Sequence, residues 1–260
     1  MITSRHNAKL KDIRRLRRCK DDRALLEGPR LIDEALASGC TIEEIFITPE
    51  MLTAGSWQPP ADRAPTLVDG RLLDELADTD SPRGLLAVAR LPRATVPKVP
   101  DGLYLYVDGL QDPGNLGALA RVAEAAGVAG LFLAIGTAHP NHPRALRASA
   151  GSLLRLPTAR LAEVEATRRH LGPEVPWFSL QPRGGDSLYR ASLPRPAVLA
   201  LGAEGPGLSP AVAAVARRSL TIPLAAPVES LNATVAAALA LFEWRHRSAG
   251  KALDQPSDSR

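Results

Sequence analysis

Three short stretches gather residues able to hold a ligand or stabilise charge. The first, VDGLQDPGNLGALARVAEAAG, places Asn115, Gly117 and Arg121 in an N-x-G-x-x-x-R core. The second, LGAEGPGLSP, sets Glu204 among Gly202, Gly205 and Gly207. The third, IPLAAPVESLNATVAAALALFEW, carries Ser230 and Asn232 where a helix begins. Glycines let a backbone approach a ligand closely and adopt positive φ. Taken singly, each stretch also has a plain structural reading. Arg121 reads as an exposed helical arginine, Glu204 as a loop acid, and Asn115, Ser230 and Asn232 as helix caps. No G-K-[ST] follows a glycine loop, which excludes a P-loop. A dinucleotide fingerprint is argued against by the absent G-x-G-x-x-G spacing and by LFLAIG, a strand that ends without a ribose-holding acid. Cys19 and Cys40 have neither metal-ligand nor redox spacing, so no metal site is expected and both read as reduced thiols.

The elements that must position these loops alternate along the chain. LYLYVDGL, LFLAIG, VPWFSLQ, AVLALGAE and TIPLA read as strands. Helices are expected from about Asn115 to Ala126, over PRALRASAG, over PAVAAVARRS capped by Ser209, and over ATVAAALALFEWRHR. Repeated β-then-α units imply an α/β fold with a mostly parallel sheet, whose ligands bind beyond the carboxyl ends of the strands. All three loops follow strands. The proline-rich segment RLPRATVPKVPDG reads as an extended linker, with a domain boundary near residue 95. The expected division is residues 1–95, 96–250 and a polar tail, 251–260, that is disordered.

The first domain reads as a small α/β module. Its opening helix, near Asn7 to Lys20, would bury Leu10, Ile13 and Leu16. Between Arg5 and Lys20 the chain holds eight basic residues and one acid, Asp12. Such density favours phosphate contact over a merely solvated face. Arg5, Lys9, Arg14, Arg15 and Arg18 are therefore candidate phosphate-contacting residues, which become RNA-binding candidates under the resemblance that the three loops carry. Over 260 residues the net charge is +4 and the pI about 9.4, compatible with a nucleic-acid partner without requiring one. No apolar run is long enough to cross a bilayer and no secretory signal opens the chain, so a cytoplasmic protein without membrane contact is expected.

Together the three loops resemble the signature motifs of the SpoU/TrmH family of RNA 2′-O-ribose methyltransferases, in the SPOUT superfamily. The matches are Asn115, Gly117 and Arg121; Gly202, Glu204 and Gly205; and Ile222, Pro223, Ser230, Leu231 and Asn232, in order and spacing. The resemblance spans roughly residues 103 to 247. RALRASAG resembles a further family element and adds Arg147 to the RNA-binding candidates. The first half is similar, more weakly, to the ribosomal-protein-like RNA-binding domain of many members. Ala233-Thr234 departs from the common Val-Ser.

The resemblance implies a deep trefoil knot, a homodimer through the methyltransferase domain with its active site near the interface, and S-adenosylmethionine as cofactor. Its contacts would come from Leu201, Gly202, Glu204, Gly205, Ile222, Leu224, Ser230, Leu231 and Asn232. Arg121, Asn115, Glu204, Ser230 and Asn232 would form the catalytic set, Arg121 acting as a base or as an electrostatic stabiliser. Ribosomal RNA is the expected substrate. The alternatives are a transfer-RNA methyltransferase and a non-catalytic RNA-binding protein on the same fold.

Overall fold

The computed structural model describes residues 1–16, 22–79, 82–92 and 95–249. Arg18, Cys19 and the tail 251–260 lie outside the described residues. The chain forms two compact units, Met1–Arg93 with His139–Arg155, and Ala94–Ala138 with Leu156–Arg260. A single boundary near residue 95 does not contain the excursion of 139–155 into the first unit.

The first unit opens with helix α1 (Ala8–Leu16), which buries Leu10, Ile13 and Leu16 as their helical spacing requires. There follow β1 (Arg23–Glu27), α2 (Pro29–Ala37), β2 (Thr41–Ile47), α3 (Pro49–Ala54), β3 (Thr66–Leu67), α4 (Gly70–Asp74) and β4 (Leu85–Arg90). The sheet order is β1-β4-β2-β3, with β4 antiparallel to both of its neighbours. The β4 sequence LLAVAR buries five of its six residues, as a strand covered on both faces must. Strand β1 has no counterpart among the sequence expectations, because RALLE is a short apolar run with no alternation to mark it.

The second unit begins with β5 (Leu103–Asp108), α5 (Pro113–Ala125) and β6 (Gly130–Leu133). The chain then supplies α6 (Pro143–Ser149) and α7 (Ser152–Arg155) to the first unit, where Arg147 pairs with Glu27 and Arg155 with Glu34. It returns as β7 (Thr158–Arg160), α8 (Val164–Leu171), β8 (Trp177–Leu180), β9 (Asp186–Ser187), β10 (Ala197–Gly202), α9 (Pro210–Val215), β11 (Arg218–Thr221) and α10 (Ala233–Ala249). The sheet order is β7-β6-β5-β10-β8-β11-β9, and every pairing is parallel. All six β5 residues are buried, which is why LYLYVD reads as a continuous apolar run. From β5 the chain winds outward one way through β6 and β7, and later inserts β10 on the other side. That reversal makes the carboxyl ends of β5 and β10 a switch point, where parallel sheets bind ligands.

Three expectations are corrected. The last core strand is β11, not TIPLA, and the helix before it stops at Val215. Ser209 occupies the N-cap of α9, but its hydroxyl does not cap; its backbone N–H instead donates to Asp108 Oδ2 at 2.6 Å. The helix of the first loop begins at Pro113, where the Asp112 side chain caps it by accepting from Asn115 N at 2.7 Å.

Helix α10 buries Ala237, Ala240, Leu241 and Trp244. The Trp244 ring stands edge-on to Phe178 of β8 with centroids 5.1 Å apart, and its indole N–H donates to Pro194 O at 3.0 Å. Trp244→Ala is expected to cost about 3–5 kcal/mol, through the cavity and the orphaned carbonyl. Urea unfolding checks this, and a loss below about 1 kcal/mol would contradict the packing.

Candidate functional site

Beyond the carboxyl ends of β8, β10 and β11 lies a cavity of about 670 Å³. Its walls come from the loop after β8 (Leu180–Arg183), the glycine loop after β10, and the segment from Ile222 to the start of α10. Within these, Leu201, Gly202, Glu204, Gly205, Ile222, Leu224, Ser230 and Leu231 line the cavity. Asn232 stands beside it rather than in its lining.

The glycine loop is held closed on itself. Ala203 and Gly207 exchange two backbone hydrogen bonds of 3.0 Å, so the chain doubles back directly over Gly202. A Cβ on Gly202 would stand 2.3 Å from the Gly207 carbonyl carbon and 2.5 Å from Leu208 N. Only glycine fits that crossing. The loop is anchored below by Asp108, a buried carboxylate at the end of β5, through its bond from Ser209 N. The phenol of Tyr106 is pushed up to about 12, first by burial and then by the charge of Asp108 and of Glu163.

Glu204 is exposed and joins the three loops. Its Oε1 accepts from Asn115 Nδ2 at 3.1 Å and from Asn232 Nδ2 at 3.2 Å. Asn232 Nδ2 also stands 3.5 Å from Asn115 Oδ1. Asn232 caps α10 as well, its Oδ1 accepting from Thr234 N at 3.0 Å and Val235 N at 3.3 Å. Capping and site formation are therefore two ends of one amide. Because Asp112 caps α5, the Asn115 side chain is free to face Glu204. Thr234, at the departure from the common motif, donates from Oγ1 to Asn115 O at 3.1 Å and pins the start of α10 to the start of α5.

Arg121 does not join this junction. It lies exposed on α5, about 9 Å further along the axis than Asn115 and about 120° around it. Its guanidinium makes no ion pair among the described residues. Ser230 sits exposed at the cavity wall. Residues that sequence reasoning passed over are Asp108, Asp112, Thr234 and the Leu180–Arg183 loop. Asp112-Pro113 carried a readable signal, a capping acid before a first-turn proline. The β8 loop could have been found from the strand-end rule alone.

In the first unit, the basic face of α1 is partly neutralised. Lys9 Nζ lies 2.7 Å from Glu44, while Arg5 and Arg14 flank Glu75 at 3.7 and 3.9 Å. Arg15 is exposed. Arg147 is engaged by Glu27 at 3.0 Å and by Asp78 at 3.4 Å.

A parallel sheet with a glycine-walled cavity beyond the carboxyl ends of its strands places the second unit among α/β proteins that bind a small ligand there. The comparison with known families is specific. Residues 102–242 match the model of the SpoU rRNA methylase family, and residues 7–87 match the MRM3-like substrate binding domain. The chain belongs to the SpoU rRNA methylase family. It is 32% identical over 258 residues to the 23S rRNA (guanosine(2553)-2′-O)-methyltransferase RlmP of Bacillus subtilis, covering 94% of this chain and 98% of that protein. It is 33% identical to an uncharacterized tRNA/rRNA methyltransferase of Synechocystis sp., covering 95% and 93%. Its fold matches that of the SpoU methyltransferase AviRb from Streptomyces viridochromogenes, solved in complex with AdoMet. The TM-score is 0.82 at 26% identity, with 94% of this chain and 99% of that chain covered.

Gly202→Ala is expected to break the loop crossing and abolish binding of S-adenosylmethionine, while the global unfolding transition moves little. Calorimetric titration of the cofactor checks this, and retained affinity would show that the loop tolerates opening. Asn232→Ala removes a cap and a bridge together, so α10 should lose about 1 kcal/mol in urea unfolding.

Proposed function

We propose that this protein transfers a methyl group from S-adenosylmethionine to a ribose 2′-hydroxyl of RNA, with ribosomal RNA as substrate. The observation that carries the reading is the Glu204–Asn115–Asn232 junction at the rim of the glycine-walled cavity. Family membership and the 2′-O-methyltransferase relatives support it.

The cavity fits the cofactor. The crossing at Gly202 leaves a bare-backbone cradle, and Leu201, Ile222, Leu224 and Leu231 supply apolar walls beside backbone donors and acceptors. Once bound, the sulfonium supplies a methyl group already activated for transfer, so no metal is needed. What remains is to align a weak nucleophile, to stabilise the negative charge that develops on its oxygen, and to let its proton pass to solvent as the O–CH3 bond forms and the S–CH3 bond breaks. Arg121 is the residue assigned to that oxygen, as stabiliser of the oxyanion or clamp on the adjacent phosphate. Glu204 holds the two asparagines in place, and Ser230 offers a hydroxyl at the cavity mouth.

The homodimer belongs to the same reading. Val235, Leu239 and Phe242 are exposed at i, i+4 and i+7 on α10, a stripe that a second copy would cover. Such an interface would lie beside the start of α5, and so beside the site. The trefoil knot and a cytoplasmic location are parts of this proposal too. No helix among the described residues is long and apolar enough to cross a membrane.

Arg121→Ala should keep its unfolding transition and its cofactor affinity, yet lose methyl transfer by about 100-fold or more. Nucleoside digestion and mass spectrometry of treated ribosomal and transfer RNA provide the test. Near-normal turnover would remove Arg121 from the chemistry, and base methylation or labelled transfer RNA alone would overturn the substrate. Phe242→Asp should convert a dimer to a monomer by light scattering, with transfer falling in parallel. A parent protein that is already monomeric would remove the dimer.

A further inference from the structure

A second cavity, of about 320 Å³, lies wholly within the first unit. It opens between the start of α2, the segment leading into β4, and α6. Its apolar lining is Pro29, Ala77 and Pro82, all half-buried, backed by the buried Leu73 of α4 and Leu85 and Leu86 of β4. Its rim is cationic, with Arg30, Arg83 and Arg147 facing the one lining carboxylate, Glu27.

The charge arrangement is specific. Glu27 is occupied on both oxygens: Oε1 accepts from Asp78 N at 2.6 Å, and Oε2 from Arg147 Nη1 at 3.0 Å. Arg147 therefore balances Glu27 and braces the wall. Arg30 and Arg83 are different. Both are exposed, and neither forms an ion pair among the described residues. A backbone hydrogen bond from Gly28 N to Leu85 O, 3.0 Å, holds their two segments side by side. The Arg83 side chain passes within 3.9 Å of the position a Cβ would take on Gly28. Two uncompensated guanidiniums thus share the cavity lining with these apolar residues.

That combination matches one unpaired nucleotide. A flat, largely apolar base suits the lining of Pro29, Ala77 and Pro82, and its phosphate suits the arginine pair, which presents fork-shaped donors. The volume is at the lower end of small-ligand cavities, about 300–1,000 Å³, too small for a peptide helix or strand. Proteins read structured RNA chiefly at such splayed nucleotides, because the deep groove of a paired helix is closed to side chains. We propose that this cavity captures an unpaired nucleotide of the RNA substrate, with Arg30 and Arg83 on its phosphate and the base against Pro29, Ala77 and Pro82. The proposal rests on the reading of this protein as an RNA methyltransferase. It puts the discriminating contact of the first unit in a pocket, not on α1, whose charges are partly paired.

The test uses the full-length protein and fluorescein-labelled RNA hairpins, identical except for one bulged nucleotide. Fluorescence anisotropy should show the bulged hairpin bound at least tenfold more tightly than the perfect one. Arg30→Gln with Arg83→Gln should erase that preference and reduce the log–log salt slope by about 0.7, for one lost phosphate contact on unpaired RNA. Ala77→Leu, which narrows the cavity without altering charge, should weaken bulge binding and leave the salt slope unchanged. Cofactor affinity should be the same in all variants, showing that the second unit is intact. Equal binding of both hairpins, or unchanged preference in the arginine variant, would overturn the pocket assignment. So would tight binding of free uridine or adenosine monophosphate without discrimination between hairpins, which marks a small-ligand site. If the parent methylates RNA while the variants lose nothing, only the pocket fails. If the parent methylates no RNA yet discriminates the hairpins, it is the proposed reaction that fails.

Discussion

One carboxylate oxygen links three segments that are far apart in the chain. Glu204 Oε1 accepts from side chains that lie 89 residues before it and 28 residues after it. Each donor is an amide rooted at a helix start, so the junction fixes the entry of both α5 and α10 relative to the glycine loop. Were that oxygen removed, Asn115 and Asn232 would still cap or stand on their helices, but nothing polar would tie them to the loop above the cavity. A charged acceptor shared by two neutral donors gains more per bond than a neutral pair would. The exposure of Glu204 keeps its desolvation cost low.

The sheet is what makes such a junction affordable in geometry. Parallel strands deliver all their carboxyl ends to one edge, so loops distant in sequence meet there without long excursions. Asp108 and Gly202 sit opposite each other at the ends of β5 and β10. One anchors the returning loop by a charge, and the other admits it by lacking a side chain.

Much of this was legible beforehand. The three motifs, the alternation of strands and helices, and the parallel sheet followed from local pattern, because fully buried strands and amphipathic helices write their environment into their own residues. The cavity walls at Leu201, Ile222 and Leu224 came from motif resemblance rather than from pattern. What stayed hidden depended on partners elsewhere in the chain. Asn232 as cap and Asn232 as site residue had looked like rival readings, yet one end of its amide caps α10 while the other bonds Glu204. The charge on α1 looked free because Glu44 and Glu75 are remote in sequence. Asp108 looked like the end of a strand, since its bond to Ser209 spans 101 residues.

The passage of residues 139–155 into the first unit has a consequence for how the two units can be separated or exchanged. A cut at residue 93 would leave behind the helix whose Arg147 neutralises Glu27, a carboxylate with only 7% of its side chain exposed. An isolated first unit would then lose the guanidinium that pairs with this largely buried carboxylate, and an isolated second unit would carry two helices with no surface to lie on. A graft of this substrate-binding unit onto a different catalytic unit must therefore bring the 139–155 segment with it. The structural boundary is discontinuous where the boundary in sequence looks clean.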